Sequence, residues 1–200
     1  MAFSKTKGWA KILESMFKEY KNIPIEKRGI PVVGVFVEHN TKKVIGKIFV
    51  TSNQTTGGKH AEMNMIDHLP DKPFDLFVTL SPCRECYIKL NQIMEKNINF
   101  KKCLFLMENT WSEKNKFENF NTNINFLSLF TINNSNTEQI QAISSYDELH
   151  KFSIEIIKHQ NSWIKRRAQK KGKDKFKYIK YNKKELKSTW EYKSLSKKNI

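Results

Sequence analysis

One histidine and two cysteines have the types and the spacing of metal ligands. His60 opens the segment His60-Ala61-Glu62, and Cys83 and Cys86 form a Cys-x-x-Cys pair directly after Pro82. Imidazole nitrogen and thiolate sulfur together favour tetrahedral zinc over iron or copper. Three protein ligands leave the fourth tetrahedral position open for water, which is the arrangement of a catalytic zinc site. The sequence therefore predicts one zinc ion per chain, held by His60, Cys83 and Cys86.

Glu62 stands two residues after the histidine, and we predict that it carries protons. Zinc in a site of this kind activates water near neutral pH. Hydrolysis by such a water molecule needs a group that first accepts a proton and later gives it up. A carboxylate near the metal, but outside its ligand set, can do both. Glu62 is therefore the predicted catalytic residue.

Two other uses of these residues compete with a catalytic site. A structural zinc site needs a fourth protein ligand, and the candidates are Cys103, His68, His39 and His150. Cys103 falls in a predicted buried strand, where a free cysteine packs as a small apolar residue, and His68 is expected at the surface. A redox function of the Cys-x-x-Cys pair would leave Pro82 and the His-x-Glu segment unexplained. The catalytic interpretation accounts for all of these features.

The ligands are predicted to lie at the starts of two helices separated by a strand. Helices are predicted at Gly8–Asn22, His60–Leu69, Cys83–Asn97, Thr137–Leu149 and Lys151–Lys170. Strands are predicted at Ile30–Glu38, Lys43–Thr51, Phe74–Leu80, Lys102–Met107 and Ile124–Ile132. The first two strands form a hairpin, and the segments 52–59 and 108–123 are predicted loops. The order β-β-α-β-α-β from residue 30 to residue 107 predicts an α/β fold with a mixed five-stranded sheet flanked by helices.

Most of the positive charge lies in the last quarter of the chain. The formal net charge is +16; residues 150–200 hold 17 Lys/Arg and 4 Asp/Glu, whereas residues 1–149 hold 19 and 16. We therefore expect a zinc-binding domain at 1–150 and a basic C-terminal helix and tail at 151–200. A segment of this charge attracts polyanions, first of all nucleic acid. A solvated tail that only aids solubility is the alternative.

Composition excludes several other classes of protein. The chain is 38% hydrophobic, which suits a folded domain and not a disordered one. It has no apolar run near 18 residues, so no membrane span is expected, and its first residues lack the apolar core of a signal peptide. Three cysteines do not make a disulfide framework, which favours the cytoplasm or the nucleus. The basic run Lys165–Lys175 could serve as a nuclear signal.

Two motifs resemble those of the cytidine deaminase superfamily. They are Lys59–Ile66, which contains His-Ala-Glu, and Val78–Cys86, which contains Pro-Cys-Arg-Glu-Cys. The resemblance covers roughly residues 9–132. It implies a three-layer cytidine-deaminase-like fold, to which this chain adds a basic helical C-terminal extension. It also implies a zinc-dependent enzyme that converts cytosine to uracil by hydrolysis.

Finer features are divided among three branches of the superfamily. The two core motifs resemble the dCMP deaminases, which act on free nucleotides. Ser81 before Pro82, and a helix ending in Trp163–Arg167, resemble the AID/APOBEC-like polynucleotide cytidine deaminases, although Leu80 stands where those usually have Trp. The hairpin and His-Ala-Glu are also similar to tRNA adenosine deaminases. We expect cytosine deamination in single-stranded DNA or RNA. A free-nucleotide deaminase is the alternative, and a tRNA adenosine deaminase or a catalytically silent nucleic-acid-binding module is the second.

Substrate contacts are predicted at several positions. The resemblance implies a sugar contact at Asn53 and a further substrate contact at Ser81, and Trp111 is a candidate for base stacking or for packing its own loop. Contacts to nucleic acid are predicted at Lys165, Arg166, Arg167, Lys170 and Lys171. Beyond Gly172, aromatic residues alternate with lysines without a clear period, which fits either base stacking or packing on the domain. The oligomeric state stays open.

Overall fold

The computed structural model describes the backbone of residues 5–52, 60–107, 126–128, 142–182 and 187–194, and the side chains of residues 9–50, 60–107 and 149–181. The helices are α1 (Lys5–Asn22), α2 (Ala61–Ile66), α3 (Arg84–Lys96) and α4 (Ala142–Lys170). The strands are β1 (Arg28–Glu38), β2 (Val44–Ser52), β3 (Phe74–Leu80), β4 (Phe100–Met107), β5 (Phe126–Ser128), β6 (Lys175–Asn182) and β7 (Lys187–Ser194). A 3-10 turn, Ile25–Lys27, joins α1 to β1. In this described part of the chain, no helix combines the length and the apolar character that crossing a membrane requires.

Five strands form one mixed sheet in the order β2-β1-β3-β4-β5. β1 is antiparallel to both of its neighbours, whereas β3, β4 and β5 run parallel. β3 has the predicted bounds Phe74–Leu80, and all of its residues are buried. A central parallel strand is buried on both faces because helices cover the sheet from both sides. The predicted mixed five-stranded sheet is confirmed.

Helices cover both faces of this sheet. α1 and α4 pack on one face, through a buried cluster that contains Leu13 and Ile156. α2 and α3 pack on the other face, through a second cluster that contains Met65 and Leu90. Neighbouring side chains in the middle of β3 enter different clusters, as the two-residue period of a strand requires. The predicted three-layer arrangement is confirmed.

The C-terminal helix is longer and less interrupted than expected. The two predicted helices Thr137–Leu149 and Lys151–Lys170 are one helix, α4, and the domain boundary predicted at residue 150 falls inside it. Leu149, Phe152 and Ile156 keep the three- and four-residue spacing of a helix across that point, and all three are buried against α1 and the sheet. The break between the predicted helices was therefore wrong, because apolar spacing continues through it.

The basic tail expected after Gly172 is instead a β-hairpin. Gly172 has φ +61, and the amides of Gly172 and Lys173 donate to the carbonyls of Gln169 and Ala168. This pattern ends α4 with a left-handed glycine and reverses the chain. β6 and β7 then pair in antiparallel register from Lys175 opposite Ser194. The sequence left these residues open between base stacking and packing on the domain, and the structure shows β6 packing on α4 through Asn161 and Ile179.

The start of β1 and the ends of β3 and β4 share one edge of the sheet. Gly34 of β1 lies opposite Val78 of β3 in antiparallel register, so β1 towards Arg28 runs alongside β3 towards Leu80. Thr79 fixes this register, because its hydroxyl donates to the carbonyl of Pro31 at 2.7 Å. We call this edge, where β3 leads into Cys83, the ligand edge.

Candidate active site

The two cysteines are positioned by the turn between β3 and α3. The backbone amide of Ser81 donates to the carbonyl of Met107 at 2.9 Å, which ties the end of β3 to β4. Cys83 then occupies the N-terminal cap position of α3, and its carbonyl accepts from the amide of Tyr87 at 2.8 Å. Cys86 follows in the first helical turn. Residues three apart at a helix start lie on one side, so both sulfurs point the same way.

His60 completes the group from a second helix start. It occupies the N-terminal cap position of α2, and its Nδ1 lies 3.2 Å from Sγ of Cys86 and 3.3 Å from Sγ of Cys83. All three donor atoms lie within 4.8 Å of one another. The side chains of His60, Cys83 and Cys86 are exposed, half-buried and buried, in that order, so the group opens to solvent on the histidine side.

These donors fit zinc in type and spacing. Zn–N and Zn–S bonds of about 2.05 and 2.3 Å in tetrahedral geometry separate a nitrogen and a sulfur by roughly 3.6 Å, close to the two observed N···S distances. No further His, Cys, Asp or Glu donor joins the group in the part of the chain that the structure describes. Within these described residues, the group has the donor set of a catalytic zinc site. Zinc is therefore the cofactor of this site, as predicted.

The four residues considered as a fourth ligand are engaged elsewhere. Cys103 is buried in β4, and His39 lies against the carboxylate of Asp75 at 2.9 Å. The Nδ1 of His68 lies 3.2 Å from the carbonyl of Asn64. His150 contacts the hydroxyl of Tyr181. The structural-zinc alternative loses its candidates among these residues.

Glu62 lies in the first turn of α2 with its side chain almost fully buried, at 2% exposure. Within the described residues its Oε2 has no hydrogen-bond partner, although Cys86 lies within hydrogen-bonding reach of the carboxylate. Burial raises the pKa of Glu62 to about 7, because removal from water disfavours the charged form. A carboxyl group with this pKa can accept and donate a proton near neutral pH, which is the property that an acid-base catalyst needs.

The ligand group holds protons that a metal must displace. Hydrogen bonding to Cys83 raises the pKa of His60 to about 9. Hydrogen bonding from Cys86, and then from His60, lowers the pKa of Cys83 to about 4. The same bond to Cys83, together with burial, raises the pKa of Cys86. Cys83 is thus poised as a thiolate, and zinc would displace protons from His60 and Cys86, which couples metal affinity to pH.

The residues predicted to contact substrate differ in whether the structure describes them and in how exposed they are. Asn53 and Trp111 lie outside the described residues. Ser81 is buried between β3 and the metal-binding turn, and its contact with substrate stays a prediction. Arg166 is half-buried and donates to the hydroxyl of Ser162 and, at 3.3 Å, to the carbonyl of Arg28. Arg166 thereby joins α4 to the start of β1.

The other basic residues predicted to contact nucleic acid lie on the surface of α4 and in the turn that follows it. They are Lys165, Arg167, Lys170 and Lys171, and all are exposed. Arg167 stacks over the ring of Trp163 at 5.1 Å, which orders its guanidinium without neutralising it. Their contact with nucleic acid stays a prediction.

Arg28 is a structural residue that our sequence analysis missed. Its side chain donates to the carbonyls of Ile23 and Lys21 at the end of α1, while its own carbonyl accepts from Arg166. It thereby joins α1, β1 and α4 at the ligand edge. No local pattern marks it, because all of its partners come from packing.

Comparison with known families agrees with this geometry. Residues 9–102 match the family described as the cytidine and deoxycytidylate deaminase zinc-binding region. The match runs from α1 into β4 and contains all three ligands and Glu62. No curated protein matches the chain. This match and the ligand group together support a zinc-dependent deaminase.

Proposed function

We propose that the protein is a zinc-dependent hydrolytic deaminase that converts cytosine to uracil in single-stranded nucleic acid. The observation that carries the chemistry is the buried, unpaired Oε2 of Glu62 beside three zinc donors. A buried carboxylate oxygen without a hydrogen-bond partner lowers the stability of the fold, so its presence calls for a functional explanation. Among the described residues, Glu62 is the only acidic residue that combines such burial with a position next to the ligands.

Glu62 moves the protons of this reaction. When bound, zinc supplies water in an activated, nucleophilic form near neutral pH. The Glu62 carboxylate accepts a proton from that water and delivers it to the ring nitrogen beside the carbon that bears the amine. It then helps to protonate the departing amine. A C–O bond forms, the C–N bond breaks, and cytosine and water become uracil and ammonia. Burial of Glu62 keeps this proton between substrate and enzyme rather than in bulk solvent.

The charge distribution favours a polynucleotide over a free nucleotide. Four of the five basic residues predicted to contact nucleic acid are exposed, three on α4 and Lys171 in the turn after it, and a surface of this charge attracts the phosphates of a nucleic-acid strand. A single strand is the expected form, because the amine of a paired cytosine is out of reach of the catalytic group.

A free-nucleotide deaminase is the second candidate. It is favoured by the matched family, whose description includes deoxycytidylate deaminases. This candidate requires no contribution from the basic C-terminal segment.

Parallel incubations separate these candidates. The zinc-loaded protein would be given a single-stranded oligodeoxynucleotide with one cytosine, the matching oligoribonucleotide, tRNA, and dCMP, and the products analysed by mass spectrometry for uracil or inosine. We expect uracil in an oligonucleotide. Uracil from dCMP alone would favour the free-nucleotide enzyme, and inosine in tRNA would favour an adenosine deaminase.

Two variants test the role of Glu62. Glu62→Gln should keep one zinc per chain and lose at least a hundredfold in turnover, because general acid-base catalysis contributes about that much or more. Glu85→Gln is the matched control, since Glu85 is an exposed acidic residue of the first turn of α3 and should retain activity. Unchanged turnover in Glu62→Gln would refute the mechanism.

A further inference from the structure

We infer that the corner between α4 and β6 binds the phosphate backbone of the single strand whose base enters the zinc site. The corner consists of the exposed cations Lys165, Arg167, Lys170, Lys171, Lys173, Lys175 and Lys177. The inference rests on the proposed function and assigns its substrate-binding surface, adding residues after the helix that the sequence analysis did not single out.

The corner is held as a fixed surface. The side-chain amide of Asn161 on α4 bonds both backbone groups of Ile179 on β6, accepting from its amide at 2.7 Å and donating to its carbonyl at 2.8 Å. Ile179 and Phe176 are buried, while Lys175 and Lys177 on the same strand are exposed. Cations on a fixed support lose less conformational freedom on binding than cations on a disordered tail.

The corner lies at the ligand edge of the sheet. Arg166 of α4 reaches the carbonyl of Arg28, and the start of β1 runs beside the end of β3, which leads directly into Cys83. α4 continues from Arg166 to Lys170, and the chain then turns into β6. α4 packs on the face opposite α2 and α3. A nucleic-acid strand that is bound at the corner therefore has to pass only around the ligand edge of the sheet to present a base to the zinc site.

The positive charge of the corner indicates which kind of ligand it binds. Residues 165–180 hold nine Lys or Arg and one acidic residue, Asp174. The exposed members line the end of a helix and the strand that returns along it, which suits a linear polyanion with regularly spaced phosphates. Phosphate contacts of this kind position a strand without reading its sequence. Base selection is then left to the zinc site.

The test compares two variants with the same loss of charge. Lys171→Gln/Lys173→Gln/Lys175→Gln neutralises the corner. Lys11→Gln/Lys43→Gln/Lys96→Gln neutralises three exposed lysines near the opposite edge. Lys43 lies in the β1–β2 turn, and Lys11 follows Trp9, whose ring contacts Lys42 in that turn. Lys96 ends α3 just before Asn99, which accepts from the amide of Phe74 at the start of β3. Binding of fluorescent, cytosine-free oligo-dT and oligo-U to the full zinc-loaded chain would be followed by anisotropy over a range of salt concentrations.

We expect the corner variant to lower the slope of log K against log[salt] by about 2, because each single-strand phosphate contact contributes about 0.7. The control variant should keep the wild-type slope. An unchanged slope in the corner variant, or an equal loss in the control, would overturn the assignment. The assignment would also be overturned if the wild type bound phosphatidylserine vesicles as well as oligonucleotides and the corner variant lost both. The corner would then be a surface for anions in general.

A deamination assay separates failure of this surface from failure of the proposed function. If the corner variant deaminates a single-cytosine oligonucleotide with the wild-type kcat/KM, the surface is refuted and the polynucleotide deaminase stands. If the wild type yields uracil from dCMP but from no oligonucleotide, the polynucleotide substrate itself is refuted. A raised KM for the oligonucleotide in the corner variant supports the assignment.

Discussion

One added methyl group at Gly34 tests how closely α2 is held against the sheet. A Cβ at Gly34 would lie 2.3 Å from Sδ of Met65 and 3.3 Å from Cγ1 of Val78. Met65 is fully buried and follows Glu62 by one turn of α2. Carbon contacts are favourable only from about 3.5 Å, so the Met65 sulfur would have to move by more than about 1 Å. Gly34→Ala should therefore disturb α2, the helix that carries Glu62.

The expected cost follows from two opposing effects. Overpacking of a tight core costs about 1–3 kcal/mol, while replacing glycine with alanine restricts the unfolded chain and returns about 0.4–1 kcal/mol. We therefore expect Gly34→Ala to lower the free energy of unfolding by about 1–2 kcal/mol. Met65→Ala alone should cost about 2–5 kcal/mol, because it leaves a cavity. The new methyl group can enter that cavity, so the double variant should be more stable than the sum of the single effects predicts.

Urea unfolding of the wild type, both single variants and the double variant measures this coupling. We expect a coupling energy of at least about 1 kcal/mol between the two substitutions. The zinc content should fall in the single variants and recover in part in the double variant. Gly46→Ala is the control: its Cβ meets nothing within 4 Å, but its φ is +70, so its cost is backbone strain. Its effect should add to that of Met65→Ala within about 0.5 kcal/mol. Additive behaviour of Gly34→Ala with Met65→Ala would refute the proposed contact.

Three further outcomes are expected. Cys86→Ser should reduce bound zinc from one per chain to nearly none by elemental analysis, whereas Cys103→Ser should keep it, because Cys103 lies in β4 away from the group. Asn161→Ala should lower the free energy of unfolding by about 1–3 kcal/mol in urea titrations, since it removes two hydrogen bonds. Burial lowers the pKa of His159 below its usual 6.5, so the unfolded state binds more protons. The free energy of unfolding should therefore fall as the pH drops through and below 6.5. Unfolding experiments at several pH values would compare the wild type with His159→Gln, which should lack this part of the pH dependence.

The sheet could be predicted closely because its strands are bounded by strong local signals. Pro73 precedes β3 and Ser81-Pro82 follows it, and its seven residues are all buried. The same holds for the ligands. Histidine and cysteine at helix starts are recognisable from their types and spacing, and His60, Cys83 and Cys86 come together as predicted.

The C-terminal region could not be predicted because its structure depends on distant contacts. Lys175 and Lys177 are exposed while Phe176 and Ile179 are buried, so the strand lacks a regular two-residue period over its length. What positions it is Asn161, eighteen residues before Ile179 in the chain. A single asparagine in the middle of a helix carries no local signal for such a contact. The end of α4 at Gly172, by contrast, has an ordinary glycine stop signal.

The direction of β1 decides which parts of the chain can cooperate with the zinc site. β1 is antiparallel to β3, so its start, not its end, lies at the ligand edge. The end of α1 and the residues of α4 that bond Arg28 are brought to that edge with it. A β1 parallel to β3 would place those residues at the opposite edge of the sheet. The basic corner and the ligands are far apart in sequence, yet both lie towards the ligand edge of the sheet. This follows because β1 and β2 form a hairpin and β3 then pairs with β1 in the antiparallel direction.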